Sequence, residues 1–125
     1  MSSRVLVVDD SLTARKYCAK ILSSAGFHVE EAANGYEALE KCLQQDYDVI
    51  LADVNMPKMS GYELVQELRR QAETAHTPVV MISTEAGEDD RLEGYRAGAN
   101  LFLVKPVSPE ALVIIVRAFA RGHCD

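Results

Sequence analysis

The stretch Arg4-Val5-Leu6-Val7-Val8-Asp9-Asp10-Ser11 (residues 4–11) contains the pattern that decides the fold. Its first part is nearly continuous in β-branched and other apolar residues, which is typical of a strand buried on both faces of a parallel sheet. Its second part is acidic and polar, and it leads into a segment whose apolar residues recur at helical spacing. A buried strand followed by a polar turn and a helix is the repeating unit of α/β folds.

The same unit recurs five times along the 125-residue chain. Strands are predicted over residues 4–8, 27–32, 47–52, 78–82 and 100–104. Helices are predicted over residues 11–25 and 35–44, from Gly61 onward, over 89–97 and from 108 to about 121. Strands that alternate with helices predict a parallel sheet with helices on both faces. Five such units fit a flavodoxin-like α/β fold with strand order 2-1-3-4-5, and the length fits a single domain over residues 1–125.

Composition and charge exclude several classes of function. The chain is 48% hydrophobic and 26% charged, and its formal net charge of −6 disfavours direct binding of nucleic acid. The longest strongly apolar run, residues 111–116, is too short to span a bilayer, so no membrane insertion is expected. The N-terminus carries no signal-peptide pattern, and the spacing of Cys18, Cys42 and Cys124 fits no metal motif. Buried free thiols in a reducing cytoplasm are therefore expected.

The fourth helix has the weakest helical pattern of the five. Only Leu92 and Tyr95 form an apolar stripe there, and Gly94 lies inside the helix. An interior glycine costs about 1 kcal/mol relative to alanine, so this helix is expected to be the least stable. The second helix, by contrast, has a regular stripe that is predicted to face inward, and Asn34 is its candidate N-cap. That stripe consists of Ala38, Leu39, Cys42 and Leu43.

The last helix has more apolar residues than one buried stripe requires. The stripe is supplied by Leu112, Ile115, Val116 and Phe119. Val113 and Ile114 are surplus, and one or both are expected to be exposed. Scattered exposed apolar residues are common, but the surplus also suggests a surface for a partner or a homodimer on this helix.

Polar residues follow four of the strands, at the sheet edge where open α/β folds bind ligands. They are Asp9 and Asp10 after the first strand, Asp53 after the third, Ser83 and Thr84 after the fourth and Lys105 after the fifth. Because the first and third strands flank the point where the strand order reverses, the three aspartates are expected to converge. Clustered carboxylates repel unless a cation intervenes, and oxygen ligands alone favour Mg²⁺, with Mn²⁺ or Ca²⁺ as alternatives. A carboxylate, a divalent cation, a lysine and a hydroxyl are the groups that phosphoryl transfer uses.

These motifs together resemble the receiver domains of response regulators of the CheY type, from end to end of the chain. The matching residues are Val7-Val8-Asp9-Asp10-Ser11, Asp53 with Asn55-Met56-Pro57 and Gly61, then Ser83, Ala97-Gly98-Ala99 and Lys105-Pro106. Taken singly each motif is weak, because Asp10 or Ser11 could simply cap a helix and Asp53 or Lys105 could be an ordinary surface residue. Their combination is specific.

The resemblance implies a phosphorylatable switch of a two-component system. Asp53 would take a phosphoryl group from a phosphohistidine on a sensor histidine kinase or a phosphotransfer protein. Asp9, Asp10, Asp53 and the backbone carbonyl of Asn55 would hold Mg²⁺, and Lys105 would contact Asp53 and then the phosphoryl group. Such a domain assists its own phosphorylation and slow autodephosphorylation but is not an enzyme in the usual sense. By the same resemblance, Asn55 and Glu85 would tune the loss of phosphate, and the bond from Lys105 to its proline has the option of being cis.

The resemblance also implies a pair of switch residues and an output surface. Counting back from Lys105, the family spacing selects Ser83 rather than Thr84 as the switch hydroxyl. Alternation along the strand agrees, because Met81 and Ser83 share one face. Phe102 occupies the aromatic position where many relatives have tyrosine, so the readout would be a change in ring burial rather than a tyrosine hydrogen bond. The fourth helix, fifth strand and last helix would form the surface for a downstream protein.

Other functions are open to a fold of this kind. A Mg²⁺-dependent phosphohydrolase of the haloacid-dehalogenase type needs an acid two residues after its nucleophile, whereas Asp9 is followed at that distance by Ser11. A flavodoxin-like cofactor carrier needs a loop that cradles phosphate after the first strand, and here that loop is acidic. An unphosphorylated receiver that serves only as a docking module would not need the complete acidic set.

Overall fold

Five strands and five helices alternate in the structure, a computed structural model that describes residues 3–84 and 87–124, with the side chains of 122–124 outside the description. The strands are β1 (Arg4–Val8), β2 (His28–Ala32), β3 (Val49–Asp53), β4 (Val79–Ser83) and β5 (Leu101–Val104). The helices are α1 (Leu12–Ser24), α2 (Gly35–Gln44), α3 (Gly61–Arg70), α4 (Glu88–Ala97) and α5 (Pro109–Cys124). All strand pairs are parallel and the order is β2-β1-β3-β4-β5, which confirms the predicted fold.

Each strand sends alternate side chains into one of two helical layers. Helices α2, α3 and α4 cover one face of the sheet, where the strand residues include Leu6, Ile50, Ala52 and Met81. Helices α1 and α5 cover the other face, where the strand residues include Val5, Val7, Leu51 and Ile82. The central strands β3 and β4 are buried along their whole length, which explains why their sequences are continuously apolar.

Side-chain caps fix where several of the helices begin, among them the first three. Ser11 Oγ accepts a hydrogen bond from the Ala14 N–H at 3.3 Å and begins α1. Asn34 Oδ1 accepts from the Glu37 N–H at 2.9 Å, which confirms Asn34 as the N-cap of α2. Ser60 begins α3 with a reciprocal capping box. Such caps satisfy N–H groups that the first helical turn leaves without partners.

Leu43, which was predicted to face inward, is exposed, so that part of the prediction is wrong. Leu43 in α2 exposes 69% of its surface, because the buried stripe of α2 runs through Gly35, Ala38 and Cys42 and leaves Leu43 about 100° away from Cys42. Leu92 and Tyr95 of α4 are exposed as well. Helix α4 instead buries its small residues, Gly94 and Ala97.

The surplus apolar residues of α5 behave as predicted. Ile114 exposes 67% of its surface and Val113 is half-buried, while Leu112 and Val116 are buried. Of the cysteines, Cys42 is buried and Cys18 is half-buried, and the side chain of Cys124 lies outside the described residues. Among the helices that the structure describes, none combines the length and the apolar character needed to cross a bilayer.

Candidate functional site

The polar residues selected from the sequence lie at the carboxyl ends of the central strands. Asp9 follows β1 directly, and Asp53 and Ser83 are the last residues of β3 and β4. Asp53 was predicted at the start of a loop, but the structure extends β3 through this residue, which pairs in register with Ile82 of β4. The sheet rather than a loop therefore fixes the backbone of Asp53.

The three aspartates come together at the switch point of the sheet. Carboxylate oxygens of Asp9, Asp10 and Asp53 lie within 4.8 Å of one another. Asp9 and Asp53 are buried, whereas Asp10 is exposed. The cluster therefore has two ligands fixed in the fold and a third that faces solvent.

Lys105 joins the two buried carboxylates. Its Nζ atom lies 3.0 Å from Asp53 Oδ1 and 3.2 Å from Asp9 Oδ2. The backbone of Lys105 is held in turn, because its N–H donates to the Ser83 carbonyl at 2.8 Å. The Lys105–Pro106 peptide bond is cis.

Burial and charge perturb the ionisation of this cluster. Burial raises the pKa of Asp53, and the negative charges of Asp9 and Asp10 raise it further, while the hydrogen bond and charge of Lys105 act in the opposite direction. Burial alone would lower the pKa of Lys105, but its contacts with Asp53 and Asp9 outweigh that effect and raise it. Lys105 thus stays protonated, and one lysine does not fully offset three carboxylates. A second cation would relieve the remaining repulsion.

The loop after Asp53 returns to the site at Gly61. The Gly61 N–H donates to the Val54 carbonyl at 2.8 Å. A Cβ atom at residue 61 would lie 2.3 Å from the carbonyl oxygen of Asp53, so only glycine allows the start of α3 to come this close. Helix α3 therefore packs against the backbone that carries Asp53.

The two predicted switch residues lie on neighbouring strands. Ser83 of β4 is fully buried, and Phe102 of β5 pairs in register with Met81, on the same face of β4 as Ser83. The Phe102 ring is only 4% exposed and packs against Gly94 of α4. The aromatic ring is thus already buried in this structure, as is the Ser83 side chain.

A cavity of about 400 Å³ opens beside the acidic cluster. Asp9, Asp53 and Lys105 line one part of it, and mainly apolar residues of α1 and the central strands, including Val7 and Tyr17, line much of the rest. The cavity leaves room next to the carboxylates for an incoming group. The all-oxygen donor set is the kind that hard divalent cations such as Mg²⁺ prefer.

Two of the predicted site residues, Asn55 and Glu85, are not part of the cluster of side chains described above. Asn55 lies in the exposed loop after β3, where only its backbone carbonyl was assigned to the metal. Glu85 lies outside the described residues.

Sequence reasoning missed Arg15 of α1, which donates to the Asp9 carbonyl and pairs with Glu31. No sequence signal identifies the contact with Asp9, because its acceptor is a backbone carbonyl.

An open parallel sheet with an acidic cluster, a lysine and a buried hydroxyl at its switch point defines an α/β phosphoacceptor domain. The family described as response regulator receiver domain matches residues 5–117. The chain belongs to this family, whose members are the phosphoacceptor signalling switches of two-component systems and interact with sensor histidine kinases and downstream effectors.

Individual relatives agree with the family assignment. The transcriptional regulatory protein SrrA of Staphylococcus aureus is 36% identical over 121 residues, which cover 97% of this chain and 49% of that protein. The chain thus spans about half the length of the curated relatives of this name that it matches.

Two solved structures agree in fold as well. Chemotaxis protein CheY4 of Vibrio cholerae is 41% identical, with a TM-score of 0.91 over 95% of this chain and 99% of that one. The receiver domain of sensor histidine kinase PA1611 from Pseudomonas aeruginosa PAO1, with a magnesium ion coordinated in its active site cleft, is 28% identical. Its TM-score is 0.90, over 97% of this chain and 99% of that one.

Proposed function

We propose that residues 1–125 act as one receiver domain in which Asp53 is the phosphoacceptor. The observation that carries this proposal is the geometry at Asp53: its carboxylate is buried, lies 3.0 Å from the Lys105 amine and belongs to a cluster of three carboxylates. Burial in a partly dry site strengthens every charge interaction that a phosphoryl group would make there. The nearby cavity gives a donor access to the same carboxylate.

The donor is a phosphohistidine of a sensor histidine kinase or a phosphotransfer protein. An Asp53 carboxylate oxygen attacks the phosphorus, an O–P bond forms and the P–N bond to the donor imidazole breaks. The electron pair of that bond stays on the imidazole nitrogen, which takes up a proton. Lys105 stays protonated throughout and hydrogen-bonds the phosphoryl oxygens, so the domain assists its own phosphorylation and its slow autodephosphorylation. Positioning and charge stabilisation are sufficient for this type of transfer.

Asp9, Asp10 and Asp53, with the backbone carbonyl of Asn55, would hold the Mg²⁺ ion, and Mn²⁺ fits the same donor set. The bound ion supplies positive charge for the phosphoryl oxygens. The residues themselves fit this role, because the fold fixes two of the carboxylates. The three negative charges repel one another, and a bound cation would offset that repulsion. Asn55 and Glu85 tune how fast the phosphate is lost.

Ser83 and Phe102 are the proposed switch residues. The Ser83 hydroxyl turns towards a phosphoryl oxygen on Asp53, and the packing between β4, Phe102 and α4 responds. Because the ring is already buried against Gly94, the readout is a shift of α4 relative to β5 rather than an inward rotation of an exposed ring. Helix α4 suits this role because its buried contacts are made mainly by Gly94 and Ala97.

The surface formed by α4, β5 and α5 is the proposed output surface for a downstream protein. Its two helices carry exposed apolar side chains, namely Leu92 and Tyr95 of α4 and Ile114 of α5. Ile114 and the half-buried Val113 also line a groove with Tyr17 and Ile21 of α1, so a homodimer through α5 would use that groove. The negative net charge disfavours direct binding of nucleic acid, and the cytoplasm is the compartment that suits a phosphohistidine donor.

Phosphorylation of the purified chain by acetyl phosphate tests the function directly. With Mg²⁺ present, intact mass spectrometry should show one added phosphoryl group on the wild-type chain and none on Asp53→Asn. Asp46→Asn, which changes an exposed aspartate away from the cluster, is the matched control and should be phosphorylated like the wild type. Equal labelling of Asp53→Asn, or labelling without divalent cation, would contradict the proposal. Steady turnover of a small phosphoester would favour the phosphohydrolase alternative instead.

A further inference from the structure

Asp9 is held by contacts to every one of its polar groups. Its N–H donates to the Ala32 carbonyl at 3.1 Å, and its Oδ1 accepts from the Ser11 N–H at 2.9 Å. Its Oδ2 lies 3.2 Å from Lys105 Nζ. Its carbonyl oxygen accepts from Arg15 Nη1 at 2.9 Å. Asp10, the next residue of the carboxylate cluster, is exposed and shares a peptide plane with that carbonyl.

Arg15 reaches the Asp9 carbonyl from α1 and is itself anchored to β2. Its Nε donates to Glu31 Oε1 at 3.0 Å, and its side chain is only 15% exposed. Glu31 pairs in register with Val7 of β1 and also accepts from Lys16 Nζ at 2.9 Å. Burial alone would raise the pKa of Glu31, but the hydrogen bonds and charges of Lys16 and Arg15 lower it, so Glu31 is ionised at neutral pH. The guanidinium thus bridges three elements with two hydrogen bonds of fixed geometry.

We infer that Arg15 is a positioning residue for the cation site: by fixing the Asp9 carbonyl it sets the plane of the Asp9–Asp10 peptide and thereby the direction of the Asp10 carboxylate. The inference rests on the proposed function, because it presupposes that the cluster binds a divalent cation. It assigns a role to a residue that is not a ligand and makes no contact with the phosphoacceptor. Glu31 contributes to the same positioning indirectly, because its carboxylate holds the Arg15 side chain in place.

Arg15 acts through geometry rather than through its charge. Glu31 neutralises the guanidinium, so the pair adds little net potential at the carboxylates. A lysine at position 15 would keep the charge but could not donate to both oxygens in the same planar arrangement. If charge were the cause, Arg15→Lys would behave like the wild type. If geometry is the cause, Arg15→Lys should be impaired almost as much as Arg15→Gln.

The experiment is a Mg²⁺ titration by isothermal titration calorimetry on the wild-type chain, Arg15→Gln, Arg15→Lys and Glu31→Gln. Partners of ligand residues typically contribute about 10-fold or more to metal affinity, so we expect Arg15→Gln to weaken Mg²⁺ binding about 10-fold. Arg4→Gln is the matched control, because Arg4 also links β1 to β2 through Glu30 but at the opposite end of the strands. It should bind Mg²⁺ like the wild type.

Urea unfolding of the same variants separates positioning from stability. A purely structural role for Arg15 would lower the stability of Arg15→Gln and leave its Mg²⁺ affinity equal to that of Arg4→Gln, and this result would overturn the inference. Should Arg15→Gln fail to fold, unchanged affinity in Arg15→Lys and Glu31→Gln would overturn it equally. A wild-type chain that takes up no Mg²⁺ would instead overturn the proposed function, so the two failures are distinguishable.

Discussion

The ring of Phe102 in β5 lies against Gly94 in α4 so closely that a Cβ atom at residue 94 would be 2.8 Å from its Cδ2 atom. The same Cβ would lie 3.4 Å from Met81 Sδ. Gly94 therefore serves a packing purpose that its poor helix propensity conceals: it lets α4 approach the edge strand and cover the aromatic ring. Helix α4 is held there additionally by the Tyr95 hydroxyl, which accepts from the Phe102 N–H at 3.2 Å.

We expect Gly94→Ala to destabilise the fold despite the better helix propensity of alanine. The gain in propensity is about 1 kcal/mol, whereas forcing a methyl group against a packed ring costs about 1–3 kcal/mol. Urea unfolding should therefore show a net loss of about 1 kcal/mol. Glu93→Ala, on the exposed side of the same helix, is the control and should change stability little. In a double variant with Phe102→Leu the cost of the methyl group should largely disappear, and a gain in stability for Gly94→Ala alone would contradict the packing argument.

Replacing Lys105 should separate cation binding from phosphorylation. Lys105 Nζ contacts the carboxylates of Asp53 and Asp9, which would also hold the divalent cation, so Lys105→Gln removes a competing positive charge. We expect this variant to bind Mg²⁺ at least as tightly as the wild type, measured by calorimetry. Its phosphorylation by acetyl phosphate should nevertheless slow about 10-fold or more, because a charge that stabilises the phosphoryl oxygens is lost. Lys20→Gln, on the exposed face of α1, should match the wild type in both measurements.

The sheet and the convergence of the site could be predicted from sequence because both follow from rules about strand ends. Continuous apolar runs predict buried parallel strands, and the carboxyl ends of such strands meet at one edge, which brings Asp9 and Asp53 together. Helix orientation was harder to predict. The only apolar stripe of α4 consists of Leu92 and Tyr95, which are exposed, whereas the helix packs through Gly94, and a glycine contributes nothing to a hydrophobic pattern.

Hydrogen bonds from long side chains to distant carbonyls could not be predicted from the sequence at all. Arg15 and Arg69 appear in the sequence as ordinary charged helical residues. Their partners are backbone oxygens, which every residue has, so no pattern of residue types identifies them. Only the three-dimensional fold shows that each guanidinium is enclosed by the ends of several elements.

Arg69 and its neighbour Arg70 can be compared to test whether a guanidinium group that bonds to several backbone carbonyls stabilises the fold. Arg69 donates to the carbonyls of Gly98, Thr74 and Thr77 and to Asn100 Oδ1, at 2.8–3.1 Å. Arg69→Met would remove the donor to the Gly98 and Thr77 carbonyls, whereas the Thr74 carbonyl and Asn100 Oδ1 keep bonds from the N–H groups of Thr77 and Val79. Because two part-buried carbonyls lose a charged donor, we expect this variant to lower the free energy of unfolding by about 2–4 kcal/mol.

Arg70→Met is the matched control, because Arg70 is exposed and pairs with Glu67 on the same helix. Its loss should cost about 0.5 kcal/mol or less in urea unfolding. Equal effects of the two substitutions would show that the bonds of Arg69 do not stabilise the fold. Arg69→Lys should not restore the stability, because an ammonium group cannot reach oxygens on both sides at once.

The exposed apolar residues of α5 can be tested by adding charge. Ile114 is largely exposed and Val113 half-buried, so a variant with both changed to Glu should fold, and we expect it to lose self-association or binding of a downstream protein. Sedimentation velocity and pull-down of partners from phosphorylated and unphosphorylated samples measure this. A variant with Leu43→Glu, which adds charge at an exposed leucine of α2, is the control. Unchanged oligomeric state and partner affinity in the α5 variant would remove α5 from the proposed output surface.

Stability at alkaline pH should depend on the buried thiol of Cys42. Burial raises the pKa of Cys42 from its ordinary value of 9.0 to about 11, and the charge of Asp46 adds to the effect. Below about pH 9 the thiol is protonated in both the folded and the unfolded chain, so its contribution to stability is complete. Above that value the unfolded chain ionises first, and the free energy of unfolding should fall by about 1.4 kcal/mol per pH unit until the folded thiol also ionises near pH 11.

Cys42→Ala removes this group from both states, so the variant should lose less stability than the wild type between about pH 9 and about pH 10.5. Urea unfolding in the presence of a reductant measures the difference at each pH. The cavity left by the shorter side chain lowers stability by a similar amount at every pH and therefore does not affect the comparison of slopes. Parallel pH profiles for the two proteins would mean that the Cys42 thiol ionises as readily in the folded chain as in the unfolded one. Its burial on the inner face of α2 and the nearby carboxylate of Asp46 argue against that outcome.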